Sequence, residues 1–396
     1  MNRRTRYYVT AAIMQAALCI SGFAVPLLAR HIFHASARTL GLLAATGMAT
    51  YVLCSLAAGR ISDRIGRRVV MVLGVLVNCA ATAMMGFCPS LGLLFLLVVL
   101  WNIGQGMFWP PLEAAIADDA PRHLLPIRVG IFNIAWCSSV MVGTWLGGRF
   151  YDSNVRLPFA WAVIAGMCVV PIILSATPGR RPTPAADVPD DPTPAPEAGP
   201  DCRRLFLYMA WGANFLAGGL YSTIRAFFAP DVTMRLGYSG QQAAILVGAV
   251  QVTQVIVFAL LTFFHGWRYR FWFFASAQAV MLAGAAGLAL SNSALPLALS
   301  FFAVGLGEGV VYTSSIYYSL DSLHDRGAKS GLHEAFAATG AAIAPMIGGW
   351  LATAIGDMRA PYALCAGLIA IGLAWQGWMY FSALGRAPAK EAANAE

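Results

Sequence analysis

The chain has 396 residues, 59% hydrophobic and only 11% charged, with a formal net charge of +8. Soluble globular chains carry about 25% charged residues, so this composition excludes a water-soluble fold. It suits a protein whose outer surface is mostly lipid, in which basic charge is first a matter of topology.

The apolar residues fall into blocks. A bilayer core about 30 Å thick takes roughly 20 apolar residues as a helix. The first six predicted spans are 7–29, 39–58, 69–88, 91–112, 129–148 and 157–176. Arg3, Arg4 and Arg6 precede the first, which is long enough to stay as an anchor rather than serve as a cleaved signal. Residues 177–204 break the pattern, with eight prolines between Thr177 and Pro200 and almost nothing large and apolar. That composition predicts an extended, solvated linker. Six further spans follow at 205–228, 241–264, 271–290, 295–318, 331–354 and 361–384. All are too long for β-barrel strands of about 10 residues. The expected fold is an all-α membrane protein with twelve transmembrane helices in two six-helix bundles, 1–176 and 205–396, joined by the linker. The eight cysteines lie mostly inside spans, Cys19, Cys54, Cys79 and Cys137 among them, and read as small core hydrophobes.

Lys and Arg set the orientation. With the N-terminus inside, 19 of the 26 fall on the cytoplasmic side and 7 outside. The expectation is an inner (plasma) membrane protein with both termini and the linker cytoplasmic. No basic cluster lies outside these short segments, so nucleic acid is not an expected partner.

The halves resemble each other. A shift of 201 positions pairs Gly47 with Gly248, Gly86 with Gly287, Gly104 and Gly106 with Gly305 and Gly307, and Gly130 with Gly331. It also pairs Gly147 and Gly148 with Gly348 and Gly349, and Gly166 with Gly367. Two parallel six-helix repeats are a known transporter plan, with a central cavity near the membrane midplane.

Between spans two and three the chain reads Gly59-Arg60-Ile61-Ser62-Asp63-Arg64-Ile65-Gly66-Arg67-Arg68. This resembles the signature loop of the major facilitator superfamily, G-x-x-x-D-R/K-x-G-R-R/K, in pattern and in location. Span count, repeat and linker extend the resemblance over the whole chain. It implies a secondary transporter working by alternating access. Gly59 and Gly66 would permit a tight turn and close helix approach, and Asp63 would sit at the N-terminus of the eleventh helix, near Ser330. Arg67 would pair with an acid at the inner end of the fourth span, Asp118 first and Glu113 second. Together with Arg64 and Arg68 the cluster would latch the halves on the cytoplasmic side when the cavity faces out. An alternative is that the arginines only anchor topology. The matching loop of the second half, His265 to Arg270, has no acid. In the fifth span Ser139, Gly143, Thr144, Gly147 and Gly148 follow the drug-antiporter pattern without its proline. The eleventh span has Gly340, Ala344, Pro345, Gly348 and Gly349. Asn102 stands where many proton-coupled members have an arginine.

Polar residues inside spans face the protein interior or a water-filled cavity. The first half offers Gln15, Asn102, Gln105 and Asn133; the second offers Asn214, Tyr221, Gln251, Gln254, Glu308, Tyr312, His333 and Glu334. The amides either bind a solute or tie helices together at ~0.6 kcal/mol each. Arg225, near the outer end of span seven, either snorkels or gates or binds an anion. Glu334 either stabilises its helix dipole or transfers protons, and Asn133 is its counterpart at the 201 shift. Trp101, Trp109, Trp136 and Trp145 can wall a cavity or pack against lipid. Glu308, among Gly305, Gly307 and Gly309, leads for proton coupling, because an ionised carboxylate at that depth costs at least ~2.5–3.5 kcal/mol. Substrate contact and a structural pairing are its alternatives.

There is no P-loop for an ATP-driven pump. The six histidines show no metal-ligand spacing, so neither metal nor cofactor is expected. The expected activity is proton-coupled export of a neutral or amphipathic small molecule by a monomer. Uptake of a sugar, amino acid or carboxylate is the alternative; a membrane enzyme or a non-transporting sensor is a minor one.

Overall fold

The computed structural model describes residues 3–118, 125–176, 200–264, 266–320 and 326–393. It contains α1 (Arg3–His31), α2 (Ala37–Ile65), α3 (Arg67–Met85), α4 (Leu91–Asp118), α5 (Leu125–Ser153) and α6 (Leu157–Ala176). The second set is α7 (Pro200–Arg235), α8 (Gly240–Phe263), α9 (Phe271–Leu290), α10 (Ala294–Leu320), α11 (Arg326–Ile355) and α12 (Ala360–Ala393). Most of the linker, residues 177–199, lies outside the described residues. Large apolar side chains such as Leu53, Phe263, Trp272 and Leu290 point outward, as a lipid-facing surface requires. Among the described residues, ten helices are long and apolar enough to cross a membrane. The exceptions are α5 and α7. Both pack across the centre of the molecule, where polar side chains such as Asn214 and Tyr221 need not meet lipid.

The halves repeat each other in their main helix pairings. The pairs α1–α5, α3–α4, α2–α4, α1–α6 and α3–α6 recur as α7–α11, α9–α10, α8–α10, α7–α12 and α9–α12. The register differs from the single shift of 201. A Cβ on Gly104 would strike Gly74, and one on Gly307 would strike Ala277; Gly106 meets Cys54 of α2, and Gly309 meets Val257 of α8. These equivalences give an offset of 203 through α2–α4 and α8–α10. In α5 and α11 the offset is 197, because Gly143 packs on Ala16 and Gly340 on Phe215, themselves 199 apart. Most of the glycine pairs at 201 therefore joined positions with different neighbours; Gly148 and Gly349, which meet Gly240 and Ala37, are the exception. Asn102 corresponds to Gly305 rather than Ala303, and Glu334 to Cys137 rather than Asn133. Glu308 corresponds to Gln105, and Gln15 to Asn214.

α6 ends and α7 begins on one face of the bundle, here the linker face; the opposite face is the distal face. Contacts between the halves gather at the distal ends. α2 lies against α11 where Gly41 meets Pro345 and Gly349 meets Ala37. Arg38 donates its backbone N–H to Thr353 Oγ1 at 3.0 Å, and its guanidinium stacks 3.6 Å from the Trp350 ring. Symmetrically, α5 lies against α8, where Gly148 meets Gly240. There Asp152 accepts the N–H groups of Gly240 (2.7 Å) and Gln241 (2.8 Å), capping α8 from the other half. His31 Nε2 lies 3.0 Å from Thr233 Oγ1. The distal side is sealed.

Candidate functional site

The signature loop is a one-residue turn. α2 runs on to Ile65, so Gly59 sits inside a helix, and the expected turn at Gly59 is not formed. Gly66 alone breaks the chain, at φ +98°, where only glycine is unstrained. Its N–H donates to Ser62 O at 3.0 Å, and α3 starts at Arg67. Asp63 and Arg64 are exposed, and Arg67 and Arg68 are partly buried. Asp63 makes no hydrogen bond or ion pair with a described residue. The side chain of Asp118 lies outside the described residues.

Behind the distal seal, polar side chains of α1, α4, α5, α7, α8, α10 and α11 converge. Gln251 Nε2 donates to Tyr221 Oη at 3.0 Å. The Arg225 guanidinium lies beside Tyr221, with its Cζ 5.8 Å from the ring. Arg225, Tyr221, Cys19, Gly22 and Thr144 line a small pocket. Gln254 Oε1 faces Cys137 Sγ of the other half at 3.9 Å. Glu308 lies within electrostatic range of Cys137 and Tyr221, and its Oε2 is buried without a hydrogen-bond partner. As Gln105's repeat counterpart, it stands on a face that looks toward the opposite half.

Towards the linker face, Glu113 of α4 and Glu334 of α11 are exposed to solvent although helices surround them, and they interact electrostatically across the halves. Tyr51 of α2 and Tyr312 of α10 feel both charges. Beneath Glu334, the fully buried His333 bonds Ser315 Oγ (2.8 Å) and Asn214 Nδ2 (3.2 Å) through Nδ1. Its Nε2 lies 3.5 Å from Glu334 Oε1, and Tyr312 packs on its edge. α11 starts at Arg326, so Glu334 lies more than two turns inside the helix and cannot serve its N-terminal dipole as expected; it is joined instead to this polar network.

Other candidates have local hydrogen-bond or packing partners. Asn102 is buried against Gly47, donates to Val98 O at 2.9 Å and receives Gln105 Nε2 at 3.5 Å. Gln15 bonds Cys19 Sγ within α1. Asn214 also ties α7 to α11 through His333 O at 2.9 Å. Asn133 is half-buried in α5 and joins no described hydrogen bond. Trp109 packs on Phe108 and Phe132 inside the first half, and Trp145 is exposed on the surface. Trp101 reaches the cavity beside Arg225. Sequence reasoning passed over Glu113 as a cavity residue and Asp152 as a cap. An acid at a span end looks like ordinary loop charge until its opposite number in the other half is known. Among the described residues no group of three or more His, Cys, Asp or Glu side chains is placed to hold a metal.

The comparisons with known proteins agree with this arrangement. The chain is 25% identical to "Multidrug resistance protein 1" of Bacillus subtilis over 351 residues, covering 86% of this chain and 87% of that one. It is 25% identical over 146 residues, 36% of this chain and 38% of the other, to "Quinolone resistance protein NorA" of Staphylococcus aureus. Among solved structures, a bacterial homologue of the human lysosomal transporter Spinster, in an inward-facing, occupied conformation, matches with TM-score 0.74. The match has 18% identity and covers 96% of this chain and 95% of that one. The nucleoside transporter NupG matches with TM-score 0.73 and 11% identity, covering 96% of this chain and 99% of that one. These structures share the fold. The family model for the Major Facilitator Superfamily matches residues 7–324 and 210–396, and the chain therefore belongs to that superfamily of membrane transporters, which carry small-molecule substrates and are not enzymes.

Proposed function

We propose that this transporter exports an amphipathic small molecule from the cytoplasm in exchange for protons, with Glu308 as the coupling carboxylate. The observation that carries the reading is the Glu308 oxygen left without a partner at the centre of the interface between the halves. A carboxylate there is costly when ionised and unpaired. It must therefore be protonated or neutralised by cargo, and the two states exclude each other. Competition of proton and cargo for one acid is what exchange requires. The apolar lining of the nearby pocket, Phe23, Ile224, Ala229 and Val247 among it, suits an amphipathic body, and the multidrug-resistance relative supports export. In this reading the linker face is cytoplasmic, the structure is the inward-facing state, and the protein works as a monomer in the plasma membrane.

Everted membrane vesicles test the function. Acidifying their lumen should drive uptake of a fluorescent amphipathic dye, and a protonophore should collapse it. Uptake that ignores the proton gradient would refute coupling. A cysteine at Ala195 tests the sidedness: it should resist impermeant thiol reagents in intact cells, and labelling from outside would invert the topology.

A further inference from the structure

Arg225 is a cation without an anion. Among the described residues no carboxylate pairs with it; its interactions are with Tyr221 and Cys19. It does not reach out towards lipid headgroups. Gly22 of α1 makes room for it: a Cβ there would lie 3.0 Å from Arg225 Nη2 and 3.2 Å from Trp101 Cη2. The guanidinium is thus turned inward, to the cavity wall, behind the distal seal. It is also solvent-accessible, so the space beside it is open.

Donors surround it, beside one buried acceptor without a partner, Gln251 Oε1. Tyr221 Oη accepts from Gln251 Nε2, which leaves its own proton to donate. Trp101 Nε1 is buried with no acceptor, and Thr144 adds a hydroxyl to the lining. Tyr221 interacts with Glu308 as well as with Arg225. A positive and a negative group therefore flank one tyrosine, and no described residue supplies either with a counter-ion.

We propose that Arg225 is an oxyanion subsite and that the preferred cargo is amphoteric, with a carboxylate bound by Arg225 and the Tyr221 hydroxyl and an amine facing Glu308. This rests on the reading of the cavity as the cargo site. A guanidinium presents paired donors in a plane that matches a carboxylate. A cargo with both charges neutralises both orphans at once, and an amine alone leaves Arg225 uncompensated.

The test is calorimetric binding to the purified full-length protein, with three probes of similar size: 4-phenylbutylamine, 4-phenylbutyrate and 4-(4-aminobutyl)benzoate. The amphoteric probe should bind at least ~10-fold more tightly than either singly charged one, ~1.4 kcal/mol. Arg225→Gln should reduce it to the affinity of the amine, and Arg225→Lys should keep part of the gain. In the wild type alone, an amine that binds as well as the amphoteric probe would overturn the subsite and leave the cargo cavity standing. Failure of all three probes to bind would remove the cavity reading and the subsite with it. Displacement of the amphoteric probe by equimolar inorganic phosphate would make Arg225 a site for free inorganic anion and overturn the proposal.

Discussion

Asp152 is the most economical handle on the transport cycle. Its carboxylate crosses from α5 to cap α8, accepting N–H bonds of 2.7 and 2.8 Å at a helix N-terminus. Distal opening would pull it away and return it to water. Hydrogen bonds to a charged group contribute ~1.5–3 kcal/mol each, and the helix dipole adds ~0.3–1 kcal/mol. Asp152 is exposed, so solvent screening takes the low end and holds the pair to ~2 kcal/mol in all. At ~1.4 kcal/mol per decade, Asp152→Ala should raise the distal-open population ~30-fold. Asp152→Asn keeps one acceptor, loses the charge and should give ~5-fold at ~1 kcal/mol. Cys19 reports the change, because it lies behind the seal and is 1% exposed. With the other seven cysteines replaced, impermeant maleimide applied to intact cells should alkylate Cys19 slowest in wild type, faster in Asp152→Asn and fastest in Asp152→Ala. Equal rates in wild type and Asp152→Ala would show that the cap does not hold the seal.

Asp63→Asn should slow transport with abundance near normal, since a latch that forms only in the distal-open state matters to turnover and not to folding; wild-type rates would refute it. Glu113→Gln removes one of two like charges facing each other across the linker side and should favour closure there, read as slower labelling of a cysteine at Tyr51. Unchanged labelling would show that the repulsion is fully screened. On the distal loop, Arg359 hydrogen-bonds Asp357 at 2.8 Å and holds its carboxyl below the usual range. Because the folded pKa is the lower one, this contribution is complete above the unfolded value of ~3.9 and is lost as pH falls through the folded one. Thermal stability of Asp357→Asn in detergent should therefore lag wild type at pH 6 and converge on it in strong acid.

The helices were legible because lipid imposes one rule on every span. Their ends were less so: α2 continues seven residues beyond the predicted 58, since Arg60, Asp63 and Arg64 look like loop residues yet lie on a helix reaching into water. The repeat was visible in the glycines, but a glycine's meaning is the backbone it admits. Gly104 and Gly307 share a role because each lies on the facing helix at Gly74 and Ala277, and no sequence shift reveals that when the connecting segments differ in length. In the site, Glu308, Arg225 and Gln251 were found because polarity inside an apolar run is conspicuous. Asn102 was found the same way and proved to be packed on Gly47. Helical spacing alone does not say which face of α4 looks into the cavity.

Glu308→Gln in proteoliposomes separates proton coupling from cargo movement. Accumulation driven by a proton gradient should vanish in this variant, and exchange of labelled for unlabelled cargo should persist. Intact gradient-driven accumulation by Glu308→Gln would contradict the coupling and remove Glu308 from the mechanism.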